Sequence, residues 1–236
     1  LTTDSKTQLV PIVSSSRAAR LICEKWSANY GYLPDAIVVE GPKAGGHLGF
    51  KNEQIEDEHY SLEHLIPEVV EVARSYAGRK GIPVIAAGGI ATGEDIARFM
   101  ALGASAVQMG SIFVPTEECD ASVEFKQVYL NAHREDIRII QSPVGMPGRA
   151  FDGEFIRNVA EGKEKPRSCP FHCIKTCDYT KSPYCIIKAL YNAARGNMKK
   201  GYAFAGGNAY LSDRIRSVKE VIEKLKADFF LSKALL

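Results

Sequence analysis

An α/β fold built on a parallel sheet is the class this sequence predicts, and three observations predict it. Short apolar runs alternate with longer amphipathic stretches four times between residues 9 and 132. A glycine pair or a Gly-Ser pair follows three of those runs at the same point in the unit. The composition, 236 residues of which 45% are hydrophobic and 25% charged, is that of a globular chain able to bury a sizeable core.

The elements follow in order. Residues 9–13 (LVPIV) read as a short buried strand, and residues 16–30 as a helix with Ser16 as its N-cap. Residues 36–39 (AIVV) are the second strand, and residues 61–77 a helix with apolar Leu62, Leu65, Ile66, Val69, Val70 and Ala73 at spacings of three and four. Residues 83–87 are the third strand, and the helix over 93–102 carries Ile96, Phe99 and Met100 on one face. Residues 106–114 are the fourth strand and 121–132 its helix. Strand followed by helix, repeated, lays the strands parallel. From residue 137 the rhythm breaks into a loop-rich, cysteine-bearing segment that ends in helices, so the expected division is 1–136 and 137–236.

Charge narrows the partners. With 30 basic and 28 acidic residues the net charge is +2, which points away from nucleic acid and membrane surfaces and towards a small molecule. No apolar run approaches the roughly 18 residues that span a bilayer, and no signal-peptide pattern opens the chain, so a cytoplasmic location is expected. Leu1, not methionine, is the first residue, and a preceding targeting segment would lie outside this reading.

The glycines fall in register. Gly45-Gly46 follow the second strand, Gly88-Gly89 the third, and Gly110-Ser111 the fourth, which puts all three at the carboxyl edge of the sheet, where parallel α/β proteins hold ligands. Bare backbone and a hydroxyl near helix starts suit an anion such as a phosphate. The first of these turns, "EGPKAGGHLGF" over residues 40–50, also carries His47, whose imidazole titrates near neutral pH. His59, His64, His133 and His172 have no such setting and read as solvated or incidental.

Three stretches, "VVEGPKAGGHLGF", "IPVIAAGGIATGEDIARFMALGASAVQMGSIFVPTEE" and "EFKQVYLNA", resemble in order and spacing the nitronate monooxygenase family, formerly called 2-nitropropane dioxygenases, which includes flavin-dependent enoyl reductases of fatty-acid synthesis. The resemblance covers about residues 8–135. It implies a (β/α)₈ TIM barrel of which this chain holds the C-terminal half, four β/α units, with FMN as cofactor. The first strand would then need a neighbour, or stand as an exposed apolar edge.

Carried onto this chain, the resemblance implies a catalytic role for His47 and FMN contacts from Glu40, Gly45, Gly46, Gly88, Gly89, Gln108, Met109, Gly110 and Ser111. Glu40 stands where the family usually has glutamine, and Lys43 where it usually has glutamate. An ionised glutamate only accepts hydrogen bonds, so the contact expected at position 40 is altered. The implied reaction oxidises nitroalkanes or alkyl nitronates with dioxygen to carbonyl compounds and nitrite. The alternative is an NAD(P)H-dependent FMN enoyl reductase. The chain as a homo-oligomer is a further expectation.

Cys169, Cys173, Cys177 and Cys185 crowd into "SCPFHCIKTCDYTKSPYC". Cysteines this dense point to zinc, an iron–sulfur cluster or redox-active thiols, with a buried, incidental role also open, and they raise a third reading in which the chain is a metal or redox sensor. "YCIIKAL" and "AFAGGNAY" resemble the tails of some bacterial family members. Cys23 and Cys119 stand alone and read as small core residues.

Overall fold

The computed structural model describes residues 6–77, 81–173, 175 and 177–234. The chain divides into two compact units: the first made of residues 1–42, 52–109 and 225–236, the second of residues 43–51 and 110–224.

The first unit carries the predicted parallel sheet. Its strands are β1 (Ile12–Val13), β2 (Ile37–Glu40), β4 (Val84–Ala87) and β5 (Ala106–Gln108), in the order β1-β2-β4-β5 with every pair parallel. The two central strands are apolar on both faces, and Ile37, Val38, Val39, Val84 and Ala86 are all buried, as the near-continuous hydrophobic run of a covered parallel strand requires. At the edge, Ile12 is 57% exposed and Val10 is 42% exposed, so β1 presents an apolar edge.

The helices match the 3.6-residue pattern, with adjusted ends. Helix α1 (Ser16–Tyr30) is capped by Ser15, not Ser16: the Ser15 backbone is extended and its side chain accepts from the Ala18 N–H at 3.2 Å. Gly31, at φ 61°, closes it in the left-handed conformation and donates to the Ser27 carbonyl. The short α2 (Asn52–Ile55) precedes α3 (Leu62–Ala77), which packs on α1. Helix α4 (Gly93–Ala101) begins with a capping box in which Thr92 and Asp95 satisfy each other's backbone N–H groups. The fourth strand expected over 106–114 ends at Gln108, and Ser111–Phe113 winds into a 3₁₀ turn.

The second unit contains a sheet that the strand–helix rhythm does not announce. Strand β3 is only Gly46–His47, and it pairs antiparallel with β7 (Pro147–Phe151), which in turn pairs antiparallel with β6 (Ile137–Gln141). Helices α5 (Val123–Leu130), α6 (Glu154–Ala160) and α7 (Ile186–Ala194) pack around this sheet, and the first residues of α8 (Val218–Lys233) belong to the same unit. One core cluster joins Ile140, Ala150, Phe155, Tyr184, Ala189 and Tyr202, and another Tyr129, Phe151, Ala203, Ala205 and Ala209.

Candidate functional site

In the first unit the parallel register sets Glu40, Ala87 and Gln108 in one row across β2, β4 and β5. The residues that follow them, Gly88-Gly89 and Met109, therefore leave the sheet along one carboxyl edge. Gly88 and Gly89 take φ values of 100° and 77°, the left-handed region where a side chain is strained, so bare backbone is a conformational requirement here. Burial pushes the Glu40 carboxyl above the ordinary glutamate range. At the start of α4, the Ala91 and Thr92 N–H groups donate to Asp95 Oδ2 at 3.0 and 3.1 Å. The protein's own carboxylate thus takes donors that a phosphate would use at that helix end.

In the second unit, His47 is held by sheet pairing and not by a simple turn. It lies opposite Gly148 of β7, and the next residue, Leu48, donates its N–H to the Pro147 carbonyl at 2.9 Å. The β6–β7 hairpin turns through Ser142, whose N–H donates to Met146 and whose carbonyl accepts from Gly145. This places Ser142 Oγ 2.7 Å from His47 Nε2. The edge of the Phe204 ring meets the imidazole at 5.1 Å between centroids and 66° between planes. Phe204 is itself fixed by the Tyr202 ring at 5.0 Å, and its carbonyl accepts from the Tyr129 hydroxyl at 2.6 Å. Burial pushes the His47 pKa down, so the ring is neutral at neutral pH. His59, His64, His133 and His172 are all exposed.

The segment after Tyr202 clamps the rest. Gly206 donates its N–H to Ser111 Oγ at 3.0 Å, Gly207 donates to the Lys43 carbonyl at 2.9 Å, and Gly45 packs on the Ala205–Gly206 peptide. Because Ser111 Oγ accepts here, its own proton is left to donate. Gly46, at φ 87°, and Gly110 have open space where a side chain would begin.

Residues 2–228 match the family model for nitronate monooxygenase. The chain belongs to the nitronate monooxygenase family. A "Probable nitronate monooxygenase" of Staphylococcus aureus (strain Newman) is 33% identical over 191 residues, 80% of this chain and 52% of the relative. The chain therefore spans about half the length of that curated relative. Among solved structures, FabK from Thermotoga maritima aligns with TM-score 0.72 and 29% identity over 97% of this chain and 62% of its own. The nitroalkane oxidase of Streptomyces ansochromogenes shares the fold, with TM-score 0.70 and 24% identity over 98% of this chain and 60% of its own.

In this nitronate monooxygenase family member the four clustered cysteines line one narrow cavity of about 20 Å³ with Pro143, Val144 and Tyr184, among others. Among the described residues no group of three or more His, Cys, Asp or Glu is arranged to hold a metal ion, so zinc and an iron–sulfur cluster lack a ligand set there. All six cysteines are free thiols. A groove of about 500 Å³ runs along α5, lined by Val123, Gln127, Asn131 and Phe151 among others, and includes none of the predicted site residues. Ser142 and Phe204 are the members of the His47 environment that motif reading missed. The signal for Phe204 was present in "AFAGGNAY", a second glycine pair after a short apolar run. Ser142 had no signal, since a hairpin 95 residues away in sequence delivers it.

Proposed function

We propose that this chain carries the histidine-bearing part of an FMN-dependent nitronate monooxygenase, acting on nitroalkanes or alkyl nitronates with dioxygen to give carbonyl compounds and nitrite. The observation that carries the reading is His47: a neutral imidazole bonded on one nitrogen to Ser142, in the AGGH motif, beside an aromatic ring. FMN, when bound, supplies the redox step. The residues present fit such a group. Gly88, Gly89, Gly46 and Gly110 offer backbone without side chains, Ser111 offers a hydroxyl proton, and Glu40 is biased towards its protonated, donating form. The family resemblance implies phosphate contacts from Gly88 and Gly89 in the first unit and from Gly110 and Ser111 in the second, and further flavin contacts from Glu40, Gln108 and Met109 in the first and from Gly45 and Gly46 in the second.

His47 takes the α-proton of a neutral nitroalkane on the nitrogen that does not face Ser142, and the resulting imidazolium offsets the charge of the nitronate. His47→Ala is expected to retain flavin bands in the absorption spectrum yet lose about 10²–10⁴-fold in turnover of a neutral nitroalkane. Preformed nitronate should restore part of the rate. Unchanged turnover in the variant would remove His47 from the reaction.

The same reading takes the parallel sheet of the first unit as four consecutive strands of a (β/α)₈ barrel, in keeping with the apolar edge at β1 and the likeness to FabK. A nicotinamide-driven enoyl reduction on the same site is the second reading, supported by the resemblance of these motifs to flavin-dependent enoyl reductases. Rapid flavin bleaching by NADPH without oxygen would select it.

A further inference from the structure

The cysteine cavity has a fixed side and an exposed side. On the fixed side, Cys185 caps the start of α7, and its carbonyl accepts from the Ala189 N–H at 3.0 Å. Its two neighbours in the chain, Tyr184 and Ile186, pack into the core cluster that holds Phe155 and Tyr202. Tyr184 is only 3% exposed, and its carbonyl accepts from the Ser182 hydroxyl at 2.9 Å. On the other side, the exposed Cys173 and Cys177 lie between α6 and α7, where none of the described residues belongs to a helix or strand.

A turn bends the chain back between Cys177 and Cys185. The Asp178 carbonyl accepts from the Lys181 and Ser182 N–H groups at 3.1 and 3.0 Å, while the Asp178 carboxylate accepts from the Thr180 N–H and hydroxyl at 3.1 and 2.6 Å. Both thiols line the same cavity, and its volume of about 20 Å³ is room for about one water molecule. A disulfide needs only two sulfurs, whereas a metal ion needs the three or more ligands that the described residues do not bring together. Pro143 and Val144 line the cavity too, next in the chain to Ser142, the residue that bonds His47.

We propose that Cys177 and Cys185 form an oxidation site for a peroxide, in which Cys177 takes the oxygen and Cys185 resolves it to a reversible disulfide. The Cys177 sulfur, as thiolate, attacks one peroxide oxygen; the O–O bond breaks, and a sulfenic acid and one water form. The Cys185 sulfur then displaces the hydroxyl, which gives the S–S bond and a second water. Two thiols and one hydrogen peroxide thus become one disulfide and two waters, each sulfur losing one electron and the peroxide gaining two. Cys185 is less exposed than Cys177, so its step is the slower one. A dithiol reductant reverses the bond by exchange. The site needs neither flavin nor nitroalkane, so it stands apart from the proposed reaction.

The test treats the full, reduced protein with hydrogen peroxide, alkylates the remaining thiols and maps the tryptic peptides by mass spectrometry. Cleavage after Arg167, Lys175, Lys181 and Lys188 puts Cys169 and Cys173 in one peptide, Cys177 in a second and Cys185 in a third. Expected is a cross-link between peptides 176–181 and 182–188 within one chain, with two of the six thiols lost and all six regained in dithiothreitol. Cys185→Ser should leave Cys177 as a sulfenic acid that dimedone traps, Cys177→Ser should abolish the cross-link, and Cys169→Ser and Cys173→Ser should leave it intact. Cys177 is exposed and outside any helix or strand, so its serine variant decides even where Cys185→Ser fails to fold. Six surviving thiols, oxygen addition that dithiothreitol does not reverse, a bond between two chains, or a cross-link that uses Cys169 or Cys173 overturns the inference.

Discussion

A Cβ placed on Gly45 would stand 2.6 Å from both the carbonyl carbon of Ala205 and the amide nitrogen of Gly206. Those are backbone atoms, which cannot swing aside as a flexible side chain would. Gly45 is thus glycine for a packing reason inside the second unit, in addition to the cofactor role the motif implies. Gly45→Ala should force apart the two segments that hold Lys43, Ser111 and His47 in place, and destabilise the protein by about 1–3 kcal/mol as an overpacked site. Chemical denaturation checks it. A variant of unchanged stability that merely loses flavin would show that the backbone contact is not restrictive.

The downward shift at His47 sets a pH dependence of definite sign. Its folded pKa lies below the unfolded value of about 6.5, because burial disfavours the imidazolium. Turnover of a neutral nitroalkane should therefore hold level on acidification past pH ~6.5 and fall only as the pH drops through the lower folded value. The same group makes the fold lose stability as pH falls below about 6.5, since the unfolded chain takes up the proton first. His47→Gln should abolish both trends, as seen in kcat/KM profiles and in thermal melts over the same range. An acid limb that persists in the glutamine variant would assign it to another group.

Glu40 shifts the other way. Its folded pKa is raised by burial above the ordinary value of about 4.3, so its contribution to stability is present at low pH and is lost as pH rises through the folded pKa. Glu40→Gln keeps the shape and removes the ionisation. The glutamine variant should melt at a higher temperature than the wild type above that pKa, and at the same temperature well below it. Flavin retention should weaken with rising pH in the wild type and be flat in the variant, because the amide donates without needing an added proton. Parallel pH curves for both proteins would mean that Glu40 does not contact the cofactor.

How much of this was legible in the chain depends on the range of the interactions. Leu62, Leu65, Ile66 and Val69 announce α3 through their own spacing, and the apolar runs ending at Glu40 and Ala87 announce parallel strands, because such signals are local. The apolar composition of 106–114 suits a strand throughout, but the strand ends at Gln108, the backbone of Gly110 departs to φ −125° and ψ −60°, and a 3₁₀ turn follows. The cap of α1 falls on Ser15 and not on Ser16, since three consecutive serines offer equivalent side chains and only the backbone angles choose. The antiparallel sheet was not visible. Gly46–His47 is too short to show alternation, and its partner Pro147–Phe151 contains a proline and a glycine that read as turn residues. The AGGH motif can thus name His47, but not Ser142, whose place depends on a contact across 95 residues of sequence.

The cysteines offer the last test, because burial sorts them. Cys173 and Cys177 are exposed, Cys119, Cys169 and Cys185 are intermediate, and Cys23 is buried at 0% exposure in α1. Burial also pushes the Cys23 thiol upward, so little of it is thiolate, the nucleophilic form. In native protein purified under reducing conditions, a thiol-specific disulfide reagent should consume Cys173 and Cys177 first. Cys23 should react only as fast as α1 opens, and all six thiols should titrate in denaturant. Single serine substitutions at 173 and 177 should each remove one equivalent from the fast phase. A native protein with no fast phase, whose missing equivalents return together with released metal in denaturant, would show that the cavity lined by Cys169, Cys173, Cys177 and Cys185 binds an ion after all. A fast phase of about two equivalents with no metal leaves the four as free thiols gathered around one small cavity, with Tyr184 forming part of its wall.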